Sequence, residues 1–171
     1  MHFTERLPHE TGRDYALRTI KNNIIRLELA PGSKLSENEL AQAIGLSRTP
    51  VREALIELSK AKIVEIWPQR KSTIALVDYD LVEESCFMRE TLEDAVAERC
   101  CQLDVSYHLI WFQENLKLQK FYLENRSAVK LWELDDAFHR KLFTIANLTH
   151  VYSLMDSMTV HFDRVRAMSL S

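Results

Sequence analysis

In DYALRTIKNNIIRLEL the apolar residues Leu17, Ile20, Ile24 and Leu27 recur at three- and four-residue spacing, which marks one face of a helix. Pro31 and Gly32 in the following APGSKL end it, because proline cannot continue a helix and glycine supplies turn freedom. SENELAQAIG then opens with a capping box: Ser36 accepts from the amide of Glu39, and the Glu39 side chain reaches back to Ser36. Gly45 closes this segment as a C-terminal cap. Only residues 45–48 precede a second start signal, Thr49 as N-cap with Pro50 at the first helical position. This second helix carries Val51, Ala54, Leu55 and Leu58 on one stripe, to pack against Leu40 and Ile44, and leaves its other face free. Two short helices joined by a tight glycine turn form a helix-turn-helix. Beyond it IVEIW and STIALV alternate apolar and polar positions on either side of Pro68 to Ser72, which predicts a hairpin with a basic tip at Arg70 and Lys71. Helix, helix-turn-helix and hairpin together predict a winged helix ending near Val77.

From Asp80 onward the pattern is helical throughout. Asp80 and Glu83 read as a capping box for a helix over 80–101, and further helices are expected over 106–124, 127–146 and 150–168. The predicted fold class is therefore mainly α, an N-terminal winged helix-turn-helix followed by an all-α helical bundle. The expected domains are a flexible leader at 1–12, a winged helix-turn-helix unit at 13–77 and a helical unit at 78–171. Composition agrees, since three Gly and four Pro in 171 residues leave long uninterrupted helix-forming stretches. No apolar run approaches the roughly 18 residues of a membrane span, and the N-terminus is too polar for a signal peptide, so the expected location is cytoplasmic. Cys86, Cys100 and Cys101 have no metal-ligand or redox spacing and read as reduced core thiols.

Charge changes the picture more than composition does. Met1 to Val77 holds 12 Lys+Arg against 9 Asp+Glu, and the remainder 10 against 16. The N-terminal part is the better match for a polyanion. Within it, SRTPVREAL puts a hydroxyl and two arginines at the start of a helix, where the dipole and the cations attract phosphate and the arginine forks can read guanine. In a helix-turn-helix that end enters the major groove. The plainer alternative is that Arg52 pairs with Glu53 or Glu57 on a solvated surface.

The stretch from APGSKL through SRTPVREAL to STIALV resembles the DNA-binding domain of the GntR family of bacterial transcription regulators, over about residues 13 to 77. The resemblance implies that Ser47, Arg48, Thr49 and Arg52 touch operator bases and phosphates and that the wing tip, with Arg70 and Lys71, reaches the minor groove. Two departures stand out: Asn38 where many relatives have an arginine, and Lys71 with Ser72 where they have a wing glycine.

In ELDDAFHRKLFTIANLTH, Leu131, Leu134, Phe138, Leu142 and Ile145 form the buried stripe, with Asp135 and His139 four residues apart on its flank. Such a pair can point two ligands at one cation or simply hydrogen-bond on the helix surface. Arg89 lies on an inward-leaning stripe, suited to an effector carboxylate or to an internal salt bridge with Glu93 or Asp135. Residues 80 to 170 are similar to the first part of the FCD ligand-binding bundle of the FadR-type branch of that family. That resemblance implies a divalent metal of the zinc or nickel class on Asp135 and His139, completed by two later histidines and holding a small organic acid. His150 and His161 lie too early to match those histidines, so the site and the C-terminal end of the bundle are expected to be incomplete. The resulting expectation is a homodimeric regulator, in the first instance a repressor, of double-stranded operator DNA, with no enzymatic activity. The rivals are a metal-dependent enzyme using Asp135 and His139 and a winged-helix interaction module that does not bind DNA.

Overall fold

The computed structural model describes residues 1–67 and 72–170, which form two compact units. The first comprises Met1–Val82 together with Met158–Ser169, and the second Glu83–Ser157.

In the first unit, α1 (Gly12–Ile25) starts on Thr11, whose hydroxyl accepts from the Asp14 amide at 3.1 Å. Its buried face is Ala16, Thr19, Ile20, Asn23 and Ile24. Leu27, expected as the last member of the stripe, lies past the helix end at a φ of 61°. The leader expected to be flexible runs along α1. Buried Asn23 accepts from the His2 amide at 2.6 Å and donates to the His2 carbonyl at 2.8 Å, while the Arg18 guanidinium holds Glu10 at 2.7 Å.

Strand β1 (Lys34–Leu35) leads into α2 (Glu37–Ile44), capped by Ser36 on the Glu39 amide at 3.4 Å and closed by Gly45 in the left-handed region at φ 75°. The recognition helix α3 (Arg48–Lys60) begins earlier than predicted, with Ser47 as N-cap and Pro50 in its third position. The proline is tolerated because a first-turn N–H would lack an intrahelical partner anyway. Strands β2 (Val64–Glu65) and β3 (Ser72–Ile74) form the predicted hairpin, and β1 adds to β3 in the order β1-β3-β2, all antiparallel. At two residues, β1 is too short to give an alternation signal. Ile20, Ile24, Val51, Ala54, Leu55, Leu58, Ile63, Val64 and Ile74 close one core, each of the larger ones contributing roughly 1.5–3 kcal/mol by leaving water.

The helix expected over 150–168 is two helices, α7 (Thr149–Met158) and α8 (Val160–Leu170), interrupted at Thr159. By its contacts α8 belongs with the first unit, where Val160 joins the core. Helical periodicity alone does not mark such a break.

Helix α4 (Tyr79–Cys101) starts in the first unit and runs into the second. Its cap is Asp78, whose carboxylate accepts from the amides of Asp80 and Leu81 at 3.1 and 3.3 Å, two residues before the predicted cap. The second unit continues through α5 (Ser106–Glu124), α6 (Ala128–Ile145) and α7. Its core is small: Val96, Cys100, Phe143, Ala146, Tyr152 and Met155, with Leu142 and Ile145 half-buried beside it. Cys100 is a core thiol as expected, but Cys86 and Cys101 are exposed. Helix α5 meets α6 through the Phe112 and Phe138 rings, 5.0 Å apart, and buries Asn115, which donates to the Leu134 carbonyl at 3.0 Å.

Candidate nucleic-acid interface

The turn between α2 and α3 depends on Gly45. Its left-handed backbone lets the chain reverse while the Leu46 amide still reaches the Ala41 carbonyl at 3.0 Å. Val51, Ala54, Leu55 and Leu58 then anchor α3, which fixes the face that points outward. Ser47, Arg48, Thr49 and Arg52 all lie exposed on that face, at the N-terminal end. The Ser47 hydroxyl makes no cap hydrogen bond, so it and the first-turn amides remain available to an anion.

The two arginines differ. Arg48, largely solvated, approaches the partly buried Glu37 loosely, at 3.7 Å. Arg52 makes no ion pair among the described residues. Glu57, one of the partners considered for it, is held instead by Arg13 at 3.4 Å and Lys60 at 3.2 Å. Arg70 and Lys71, predicted for the wing tip, lie outside the described residues. Asn38 on α2 carries no charge, as the sequence indicated.

Arg89, Asp135 and His139 do come together, around Glu93, the salt-bridge alternative considered for Arg89. On α4 the Arg89 fork holds Glu93 through Nη2 at 2.8 Å and Nε at 3.0 Å. The other oxygen of Glu93 lies 2.9 Å from His139 Nδ1, off the ring's N–H direction, so this is a close ion pair more than an aligned hydrogen bond. Asp135 Oδ1 stands 3.7 Å from His139 Nε2. Asp135, then Glu93, push the imidazole up to about 9 against the opposing effect of burial. Burial would raise the Glu93 carboxyl, but His139 and Arg89 outweigh it and hold it low. The i, i+4 spacing from Arg89 to Glu93 was the available signal for this pair.

In this arrangement a carboxylate faces each ring nitrogen of His139, Glu93 at Nδ1 and Asp135 at Nε2, so a divalent metal on Asp135 and His139 would have to displace the ring proton that these carboxylates favour. Among the described residues no group of three or more His, Cys, Asp or Glu is placed to hold a metal ion. Asp136 accepts from the Tyr152 hydroxyl at 2.5 Å and pairs with Arg140 at 2.9 Å.

A three-helix core with a helix-turn-helix and a three-stranded wing defines the first unit as a winged-helix DNA-binding module. Residues 14–74 match the model of bacterial regulatory proteins of the gntR family, and residues 84–171 match the FCD domain. The chain is 31% identical over 166 residues to the HTH-type transcriptional repressor RspR of Escherichia coli strain K12, covering 97% of this chain and 73% of that protein. It is 28% identical over 136 residues to the gluconate operon transcriptional repressor of Bacillus licheniformis, covering 80% and 55% respectively. Its fold matches that of E. coli McbR/YncC with a TM-score of 0.74 at 21% identity, covering 90% of this chain and 73% of that one. The chain therefore belongs to the GntR family of transcription regulators, in the group that carries an FCD domain, and is not an enzyme. No helix among the described residues is long and apolar enough to cross a membrane.

Proposed function

We propose that this regulator is a repressor that reads a two-fold operator through Ser47, Arg48, Thr49 and Arg52, with Arg70 and Lys71 contributing from the wing. The observation that carries the reading is Arg52, exposed at the start of the recognition helix with no ion-pair partner among the described residues. A cation kept at a helix N-terminus without a carboxylate is disposed to meet an external anion. Repression is supported by relatives that bear that name.

The protein acts as a homodimer in this reading. Tyr107, Ile110, Phe121 and Leu123 are exposed on α5, an apolar surface of the kind that subunits cover. A small organic acid in the helical unit lowers operator affinity, with Arg89 as its anchor; its carboxylate then has to displace Glu93 from the Arg89 fork. No metal is assigned a step.

The test is fluorescence anisotropy with a labelled duplex from upstream of the chain's own gene, titrated at several salt concentrations with competitor DNA. A complex that resists competitor and weakens linearly in log–log against salt supports the reading. Equal affinity for that duplex, for duplexes selected from a random pool and for unrelated DNA would sink it.

A further inference from the structure

His161 and Arg164 sit three residues apart on α8 and are almost wholly buried, at 3% and 0% exposure. They belong neither to the recognition face nor to the Arg89 cluster. The partners of His161 define its protonation, since a backbone amide can only donate and a carbonyl can only accept. Its Nδ1 accepts from the Asp78 amide at 3.0 Å, and its Nε2 donates to the Lys62 carbonyl at 3.2 Å. The ring is thus a neutral imidazole in the Nε2–H tautomer, bridging the turn that closes α3 to the residue that caps α4.

Arg164 completes the grip. It donates from Nη2 to the Ala75 carbonyl at 2.8 Å and from Nη1 to the Leu76 carbonyl at 3.5 Å, where the chain leaves β3. Its Nε has no hydrogen-bond partner among the described residues. A guanidinium buried on carbonyls is costly to desolvate, and an apolar side chain of similar length would fill the space without that cost. What the arginine adds over an apolar residue is a defined position for residues 75 and 76. Ala75 also donates to the Ile63 carbonyl at 2.9 Å, so the end of α3, the strand exit and α8 are tied at one point.

We propose that His161 and Arg164 are positioning residues for DNA binding, which from α8 fix the C-terminal end of the recognition helix and the exit of the wing. The DNA-binding unit of this protein then includes a helix from far outside its winged-helix segment. Protonation of His161 opens the grip, because an Nδ1–H would face the Asp78 N–H. The charged groups around the ring are Lys62 after α3, Asp78 before α4 and Arg164 on α8 itself, two cations against one anion. Burial, the largest influence, and then Arg164 act against the imidazolium, while the Lys62 carbonyl and Asp78 favour it.

The inference rests on the DNA-binding reading, and its test keeps the two apart. A duplex enriched by the wild-type chain from a random-sequence pool serves as the probe, with an unrelated duplex of the same length beside it. His161→Leu and Arg164→Met are expected to bind the enriched duplex about tenfold more weakly, the equivalent of one pKa unit of lost interaction, with binding to unrelated DNA unchanged. A variant that merely unfolded would lose both. His161→Asn, which keeps an acceptor for the Asp78 amide, restores affinity at pH 7.5. As pH falls below the ordinary imidazole value of about 6.5, the wild type loses affinity for the enriched duplex relative to His161→Asn, at a lower pH than a solvated histidine would show. If His161→Leu and Arg164→Met do not fold, the comparison of wild type with His161→Asn decides alone. Identical pH profiles for those two, or wild-type affinity in folded His161→Leu and Arg164→Met, overturns the inference. A pool that yields no enriched duplex overturns the DNA reading itself, and this inference with it.

Discussion

Arg52 on α3 is exposed with no ion-pair partner among the described residues, whereas Arg89 on α4 is largely buried and holds Glu93 with two nitrogens. Both were candidates for binding an external anion. The difference lies in what the fold places beside them. Near Arg52 the Glu57 carboxylate is taken by Arg13 and Lys60, so the Arg52 charge is available at no internal cost. Around Arg89 the charges alternate from Arg89 to Glu93 to His139 to Asp135, so any ligand must first displace a partner. An arginine's chemistry is common to both sites; its availability is decided by burial and by the nearest carboxylate.

Glu93 is the point at which this contrast breaks with the largest effect. Glu93→Ala leaves Arg89 and His139 half-buried with one carboxylate fewer, and the helical unit is expected to lose about 2–4 kcal/mol. Urea unfolding followed by Trp111 and Trp132 fluorescence in a Trp67→Phe background would measure it. A loss below 0.5 kcal/mol, on the order of a solvated pair, would mean that the chain of charges is only a surface feature.

Arg52→Ala is the opposite case. Operator affinity is expected to fall by about 1–3 kcal/mol with stability unchanged within roughly 0.5 kcal/mol, because the side chain has nothing to leave unpaired inside the protein. Anisotropy and urea unfolding on the same preparation test both halves. Unchanged affinity would remove Arg52 from the reading surface.

These two sites also mark how far the sequence could be read. The helix-turn-helix, the paired strands after it and the outward face of α3 were legible because local signals agree there: Ser36 with Glu39, Gly45 in the left-handed region, and the stripe from Val51 to Leu58. The partnering of Arg89 was visible only as one of two alternatives, since i, i+4 spacing does not say whether a carboxylate is engaged. The break at Thr159 was not legible, because no proline or glycine marks it; nothing local distinguishes residues whose partners lie far away in sequence, such as His161 and Arg164, from ordinary helix positions. The contact of Asp136 with Tyr152 was out of reach for the same reason, since Tyr152 lies on another helix.

A smaller effect separates the same two regions by pH. His139 is raised to about 9 by Asp135 and then Glu93, from an ordinary value of about 6.5. A group whose folded pKa lies above its unfolded one stabilises fully below the unfolded value and ceases to do so as pH climbs through the folded one. The helical unit should therefore lose stability between about pH 6.5 and 9, by about 1–2 kcal/mol once partial solvent screening is allowed for. His139→Gln should flatten that slope in urea titrations at each pH. An unchanged slope in the variant would place the proton elsewhere.

The smallest effect concerns Glu37, and it tests whether Arg48 belongs with Arg52 or with Arg89. Arg48 and Glu37 stand 3.7 Å apart with most of Arg48 in solvent, so the pair is worth a few tenths of a kcal/mol at low salt. If Arg48 is as available as Arg52, Glu37→Gln changes stability by less than about 0.5 kcal/mol and slightly tightens DNA binding, because a negative charge leaves the neighbourhood of the phosphates. The gain should shrink as salt rises, since it is a screened charge effect and not a new contact. If instead Glu37 orients the Arg48 fork for a base, the same substitution weakens the enriched duplex and spares unrelated DNA. The sign of one anisotropy difference, read at two salt concentrations, therefore assigns Arg48 to the free or to the held kind of arginine.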